Sequence, residues 1–117
     1  MAEHSDTLVS SWLSPAEAAD HLGVSQSKVR QLVRDHDLAM VHRAEPVGPA
    51  IPADFLQAGS IVKGLPGTLT LLADHGFDDR ESVEWLFTAE ESLPGRPIDA
   101  LRADRGREVR RRAQAIV

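Results

Sequence analysis

Leu13-Ser14-Pro15-Ala16-Glu17-Ala18-Ala19-Asp20-His21-Leu22-Gly23-Val24-Ser25-Gln26-Ser27-Lys28-Val29-Arg30-Gln31-Leu32 reads as two short helices joined by a tight turn. Ser14 has a hydroxyl that can accept a bond from an orphan N–H of a first helical turn. Pro15 follows at a position where a missing N–H costs nothing. Glu17, three residues after Ser14, completes a capping box. Ala18, Ala19 and Leu22 form an apolar stripe at helical spacing. Gly23 supplies the left-handed residue that ends a helix, and Val24 is expected as the apolar plug of the turn. Ser25 caps a second helix, with Val29, Leu32 and Val33 on its inner face. Its other face shows Gln26, Ser27, Lys28, Arg30, Gln31 and Arg34. This is the helix-turn-helix pattern, whose second helix enters the DNA major groove. Arg suits guanine, Gln suits adenine, and Ser and Lys suit the backbone. Capped amphipathic helices around a Gly turn also build ordinary helical hairpins, with the polar face merely solvated. The turn length, the caps and the outer-face chemistry together favour DNA.

The segment after the second helix predicts a small β-hairpin. Leu38, Met40 and His42 alternate as a short strand. Residues 44–49 hold Pro46, Gly48 and Pro49, which punctuate a turn. Ala50 and Ile51 return as the second strand. Such a hairpin behind a recognition helix is a wing, with His42 and Arg43 as its candidate backbone contacts; the alternative is a plain loop closing the core. Pro52 is expected to start a third helix through Asp54, Phe55 and Leu56.

Residues 12–58 resemble the excisionase-type, or MerR-like, winged helix-turn-helix. The matching elements are the opening from Leu13 to Ser25, the helix around Val29, Arg30, Leu32 and Val33, and the close Ile51-Pro52 to Phe55-Leu56. The resemblance implies that the second helix reads the major groove and the wing touches backbone or minor groove. Many family members carry a basic wing with an aromatic and a Gly-Arg tip. Here the tip is Glu45-Pro46-Val47-Gly48-Pro49, with one acid and no base.

Gly59-Ser60 and Gly64-Leu65-Pro66-Gly67 mark a linker before a second half. Thr68 is expected to cap a helix carrying Leu69, Leu71 and Leu72 and ended by Gly76. Asp78 or Asp79 caps the next, with Val83, Leu86 and Phe87 inward and Trp85 nearby. Residues 90–97 form a structured loop, Pro97 sets up a helical turn over Ile98 to Leu101, and a last helix runs from about Gly106 to Ile116. Trp85-Leu86, then Leu93 to Leu101 with Gly95, Pro97, Ile98 and Asp99, then Gly106 and Val109 resemble the small C-terminal domain of certain bacterial antitoxins. Taken whole, the chain is similar to a compact actinobacterial family that joins a winged helix-turn-helix to such a helical domain. The likeness is strongest over Val62 to Phe87 and Arg107 to Ala115. One mycobacterial member is a DNA-binding substrate of a membrane Ser/Thr protein kinase. The resemblance therefore implies a Ser/Thr protein kinase as a partner, and Thr7, with Glu3 and Asp6 upstream, is the candidate phosphorylation site.

The bulk properties bound this reading. A chain of 117 residues fits one domain or two very small ones packed together. There is no apolar run near the length of a membrane span, and the polar, acidic N-terminus argues against a secretory signal. The absence of cysteine removes disulfides and cysteine zinc sites and fits a reducing cytoplasm. The net charge of −5 limits non-specific DNA affinity. Residues 1–60 hold four Lys or Arg against eight Asp or Glu, yet Lys28, Arg30 and Arg34 precede any acid on the second helix. Phosphate contact is local, so this distribution matters more than the sum. The tail helix is basic, with six Arg and two acids in residues 102–112. Its arginines are read either as a phosphate- or partner-binding stripe or as complements to the helix dipole and partners of Glu108.

No enzyme constellation is present: no Cys nucleophile, no Gly-rich phosphate loop, no HExxH. Adjacent acids such as Asp78-Asp79 and Glu90-Glu91 point apart on a helix and suit capping. His4, His21, His36, His42 and His75 lack metal-ligand spacing, so neither a metal nor a cofactor is expected. His21 and His36 belong at helix ends, and Trp12 and Trp85 in the core. The expected fold is mainly α, a winged helix-turn-helix with a small two-stranded wing, packed on a C-terminal helical domain through one continuous core. Residues 1–10 are a disordered tail, 11–60 the winged domain and 61–117 the helical domain. The expected function is double-stranded DNA binding and transcriptional regulation in a cytoplasmic, nucleoid-associated protein without membrane contact. Ser25, Gln26, Ser27, Lys28, Arg30, Gln31, Arg34, His42 and Arg43 are its candidate DNA-binding residues. The alternative is a protein-interaction module whose C-terminal domain binds a protein partner.

Overall fold

A computed structural model describes residues 8–44, 47–90, 93 and 95–116. Among these, the chain runs β1 (Trp12–Leu13), α1 (Pro15–Leu22), α2 (Gln26–Arg34), β2 (Val41–Ala44), β3 (Val47–Pro52), a 3-10 turn (Ala53–Phe55), β4 (Leu56–Gln57), β5 (Ser60–Ile61), α3 (Leu65–Asp74), α4 (Asp79–Phe87), α5 (Pro97–Arg102) and α6 (Gly106–Gln114). The fold is mainly helical, a winged helix-turn-helix followed by a four-helix C-terminal part. Thr7, and the wing-tip residues Glu45 and Pro46, lie outside the described residues.

Local chemistry places the first two helices as read. The Ser14 hydroxyl accepts from the Glu17 N–H at 3.1 Å, and Glu17 Oε1 accepts from the Ser14 N–H at 2.8 Å. Gly23 is left-handed at φ 70°, and its N–H donates to the carbonyls of Ala19 and Asp20. Val24 does not plug the turn: it is 37% exposed. The left-handed Gly23 already closes the end of α1, so the side chain after it is free to face water.

The wing is the antiparallel pair β2–β3, in register from Val41↔Ala50 to Ala44↔Val47. β1 adds to the outer side of β3, with Trp12 opposite Pro52 and Leu13 opposite Ile51. The wing is thus a two-stranded hairpin set on a three-stranded sheet of order β1-β3-β2. Strand β2 begins at Val41 rather than Leu38. Leu38 and Ala39 are instead buried links between helix and strand. The expected third helix shortens to one 3-10 turn, since Leu56 is already extended and pairs with Ile61. In the second half, Gly64 rather than Thr68 stands at the N-terminus of α3. Thr68 is fully buried one turn later, and its hydroxyl donates to the Gly64 carbonyl at 2.8 Å. Gly64 is left-handed at φ 86°, and an added Cβ would lie 3.1 Å from Leu101 Cδ2. Glycine there lets α3 start against α5 and α6. Asp78 caps α4 in a second capping box, its carboxylate accepting from the Glu81 N–H at 2.8 Å.

One core runs through both halves, from Val9, Ala18 and Val29 through Phe55 to Leu86, Ile98 and Ala113. Val9 is 4% exposed and Leu8 packs against the same core, so the tail expected over residues 1–10 does not include these two. Apolar burial decides it: two adjacent aliphatic side chains gain more on the core than they lose in backbone freedom. Phe55 stands at the seam, fully buried, with its ring centroid 5.8 Å from that of Phe87. Arg102 of α5 donates to the carbonyls of Asp54 and Leu56 at 2.8 and 2.9 Å. Arg96 pairs with Asp99 at 2.8 Å, reaches Asp54 at 3.6 Å and lies 5.2 Å over the Phe87 ring. Its guanidinium holds the Asp99 carboxyl below the usual carboxylate range.

A shared core makes the two halves unfold together. Phe55→Ala is expected to lower stability by about 3–5 kcal/mol. In urea titrations of the single-tryptophan variants Trp12→Phe and Trp85→Phe, fluorescence and circular-dichroism midpoints should coincide within each variant, because each reporter sits in a different half of one cooperative unit.

Candidate nucleic-acid interface

The outer face of α2 is built by its inner one. Val29 is fully buried, and Leu32 and Val33 are half-buried against the core. Helical periodicity then turns Gln26, Ser27, Lys28, Arg30, Gln31 and Arg34 outward, and all six are exposed. Lys28, Arg30 and Arg34 make no hydrogen bond or ion pair through their side chains with any described residue, and the helix contains no Asp or Glu. The face is therefore a compact cationic strip flanked by amide and hydroxyl groups. Ser25 does two jobs: its hydroxyl oxygen accepts from the Lys28 N–H at 3.1 Å, which leaves its proton to donate outward.

The wing carries the remaining two candidates. His42 is exposed on β2, opposite Pro49. Arg43 is half-buried, with its guanidinium carbon 5.0 Å from the centroid of the Trp12 ring. Trp12 is thus both a partner of the core and a platform that orients a wing cation. The sequence suggested only the first role, because a two-residue strand leaves no periodic pattern. Trp12, Ser14, Glu17, Arg43 and Pro49 border a shallow depression of about 190 Å³ between the wing and the start of α1.

Two residues of α4 fix the entry to the wing, and sequence reading missed both. Asp79 Oδ2 accepts from the Met40 N–H at 3.0 Å, and Arg80 Nη2 donates to the His42 carbonyl at 2.8 Å. The contacts span 39 and 38 residues, beyond any local pattern. Asp78 takes the capping role, which frees Asp79 for this bond. Burial pushes the Asp79 carboxyl above its ordinary range, against the opposing pull of the Met40 N–H and of His36. Among the described residues, no cluster of three or more His, Asp or Glu is placed to hold a metal ion. No helix there is long and apolar enough to cross a membrane.

The chain matches two family models: residues 4–56 match the wHTH domain of DNA-binding protein Rv2175c, and residues 62–117 match the Rv2175c C-terminal domain of unknown function. It is 45% identical to the DNA-binding protein Rv2175c of Mycobacterium tuberculosis, over 84% of this chain and 75% of that protein. It superposes on the NMR structure of Rv2175c with a TM-score of 0.81 at 42% identity, covering 90% of this chain and 80% of that one.

The raised Asp79 pKa has a signed consequence. A carboxyl easier to protonate folded than unfolded favours the fold at low pH, and that contribution is lost as pH rises through the unfolded and then the folded value. Asp79→Asn keeps an acceptor for Met40 and removes the half-buried charge, so its stability at neutral pH should equal or exceed that of the parent. Asp79→Ala strands the Met40 N–H and should cost about 1–3 kcal/mol. Urea titrations at pH 4 and pH 7 separate the two.

Proposed function

The chain belongs to the Rv2175c family, and on that footing we propose that it binds double-stranded DNA with α2 in the major groove and acts as a transcriptional regulator. The observation that carries this reading is the exposed cationic strip of Lys28, Arg30 and Arg34, unpaired among the described residues, on a helix whose opposite face is anchored by Val29. Arg30 and Arg34 offer paired donors to guanine, Gln26 and Gln31 offer the donor and acceptor that match adenine, and Lys28, Ser25 and Ser27 suit phosphates. His42 and Arg43 place the wing on the adjoining backbone. The Arg43 guanidinium, stacked on Trp12, loses little further freedom on meeting a phosphate. That compensates in part for a wing tip without a base. A cytoplasmic, nucleoid-associated protein under Ser/Thr kinase control at Thr7 completes the proposal; the kinase part rests on family resemblance.

The test is a fluorescence-anisotropy titration of the full chain against random and genomic duplexes at two salt concentrations. Binding should weaken with salt and tighten on a subset of fragments. Arg30→Ala and Arg34→Ala should each cost about 1–3 kcal/mol if they contact bases, and the double variant should lose binding while its circular-dichroism melt is unchanged. Undiminished binding by that folded double variant would remove α2 from the interface.

A further inference from the structure

The C-terminal helix α6 presents a second cationic face whose charges make no ion pair with any described residue. Val109 and Ala113 are buried, which sends Arg107, Arg110 and Arg111 outward at spacing i, i+3 and i+4. Of the six arginines in residues 102–112, Arg102 is bonded to two carbonyls, Arg105 pairs with Glu108 at 3.4 Å, and Arg112 is half-buried and engaged. Arg107, Arg110 and Arg111 are exposed and make no side-chain hydrogen bond or ion pair with any described residue. Together with Gln114 they line a depression of about 290 Å³. Arg107 and Arg110 also border an adjoining cleft of about 510 Å³, into which Lys63 reaches from the segment before α3. Asp104 is the acid at this cleft, held 3.6 Å from Lys63 with side chains 77% and 87% exposed, a weak surface pair.

Helix stability accounts for only part of this arrangement: Arg111, in the last turn, suits the negative end of the helix dipole. Like charges at i, i+3 and i, i+4 repel. Arg107 lies in the first turn of α6, at the positive end of the helix dipole. The acid nearest in sequence on the helix, Glu108, is already taken by Arg105. Both penalties reverse sign against a polyanion, and guanidinium forks match phosphate oxygens. The chain as a whole carries −5, its first sixty residues are acidic on balance, and its wing tip has no base. The cations available for phosphate thus lie on α2, on the wing as Arg43, and on α6.

We propose that the Arg107, Arg110 and Arg111 face of α6, extended by Lys63, is a second phosphate-contacting surface for duplex DNA, which gives the C-terminal domain a binding role. The proposal rests on the DNA reading above. Its test uses the full chain and compares the parent, Arg107→Gln/Arg110→Gln/Arg111→Gln, Lys63→Gln and Arg30→Ala/Arg34→Ala, each titrated with a duplex of random sequence across a salt series. The triple variant should show a slope of log affinity against log salt shallower by about 0.9 for each phosphate that it no longer neutralises. Lys63→Gln, a change on an exposed side chain that cannot unfold the helix, should flatten the slope by its single share. Slopes superimposable on the parent in both variants overturn the proposal while leaving the α2 reading intact. A parent chain that fails to bind any duplex at low salt overturns the DNA reading itself and this surface with it.

Discussion

The seam at Phe55 is the constraint from which the geometry of the interface follows. The core is unequally shared: α1 and α2 supply mainly alanines, Val29 and the half-buried Leu22, Leu32 and Val33, while the C-terminal helices bury Leu65, Leu69, Leu72, Leu86, Phe87 and Leu101. Phe55 closes one half against the other by packing its ring, tilted by 40°, against that of Phe87. With the halves in register, α4 lies close enough for Asp79 and Arg80 to bond the backbone at Met40 and His42, and α5 close enough for Arg102 to take the carbonyls of Asp54 and Leu56. These bonds reach both ends of the wing-bearing segment. Within the first half the hairpin is held by the buried Val41 of β2 and by Ala50 and Ile51 of β3. The C-terminal domain is therefore a structural support for the wing, whatever else it binds.

Electrostatics divides the molecule in an unusual way. A net charge of −5 argues against DNA only if charge is averaged, and averaging fails when the screening length is about 8 Å. What a phosphate meets is a local strip. On α2 that strip is Lys28, Arg30 and Arg34 with no acid within the helix; on the wing it is Arg43 held by Trp12. Among the described residues, the acids of the first half lie off α2, on α1 as Glu17 and Asp20, past the end of α2 as Asp35 and Asp37, and at the 3-10 turn as Asp54. Several of the acids have structural employment: Glu17 in a capping box, Asp54 beside Arg96, Asp79 on the Met40 N–H. Such a distribution limits indiscriminate attraction to DNA.

How much of this was legible in the sequence depended on the range of the interaction. The two helices and the turn between them are written in adjacent residues: the Ser14–Glu17 box, Gly23 in a left-handed conformation, the Ser25 cap. The wing was legible as a hairpin but not at its edges, because β2 is only four residues long and the alternation of Leu38, Met40 and His42 starts before it. β1 was invisible, since two residues carry no period, and Val9 was hidden in a polar tail that its burial contradicts. Thr68 looked like a cap because capping and burial of a threonine share one sequence signal; the left-handed Gly64 had already started the helix. The contacts of Asp79, Arg80 and Arg102 could not be read at all, as each spans some forty residues and depends on how the halves dock. The outer face of α2 was readable in full from the inner positions that force it outward. The same periodicity resolves α6, where Arg112 turns toward the protein and its neighbours do not.

The central claim is that the face of α2 meets duplex DNA. The most direct measurement is a two-dimensional amide NMR titration of the labelled chain with a duplex that it binds. The account predicts that the largest shifts fall on residues 25–34 and on His42 and Arg43 of the wing, with the buried seam around Phe55 unmoved. Saturable binding with no perturbation along α2 would contradict it.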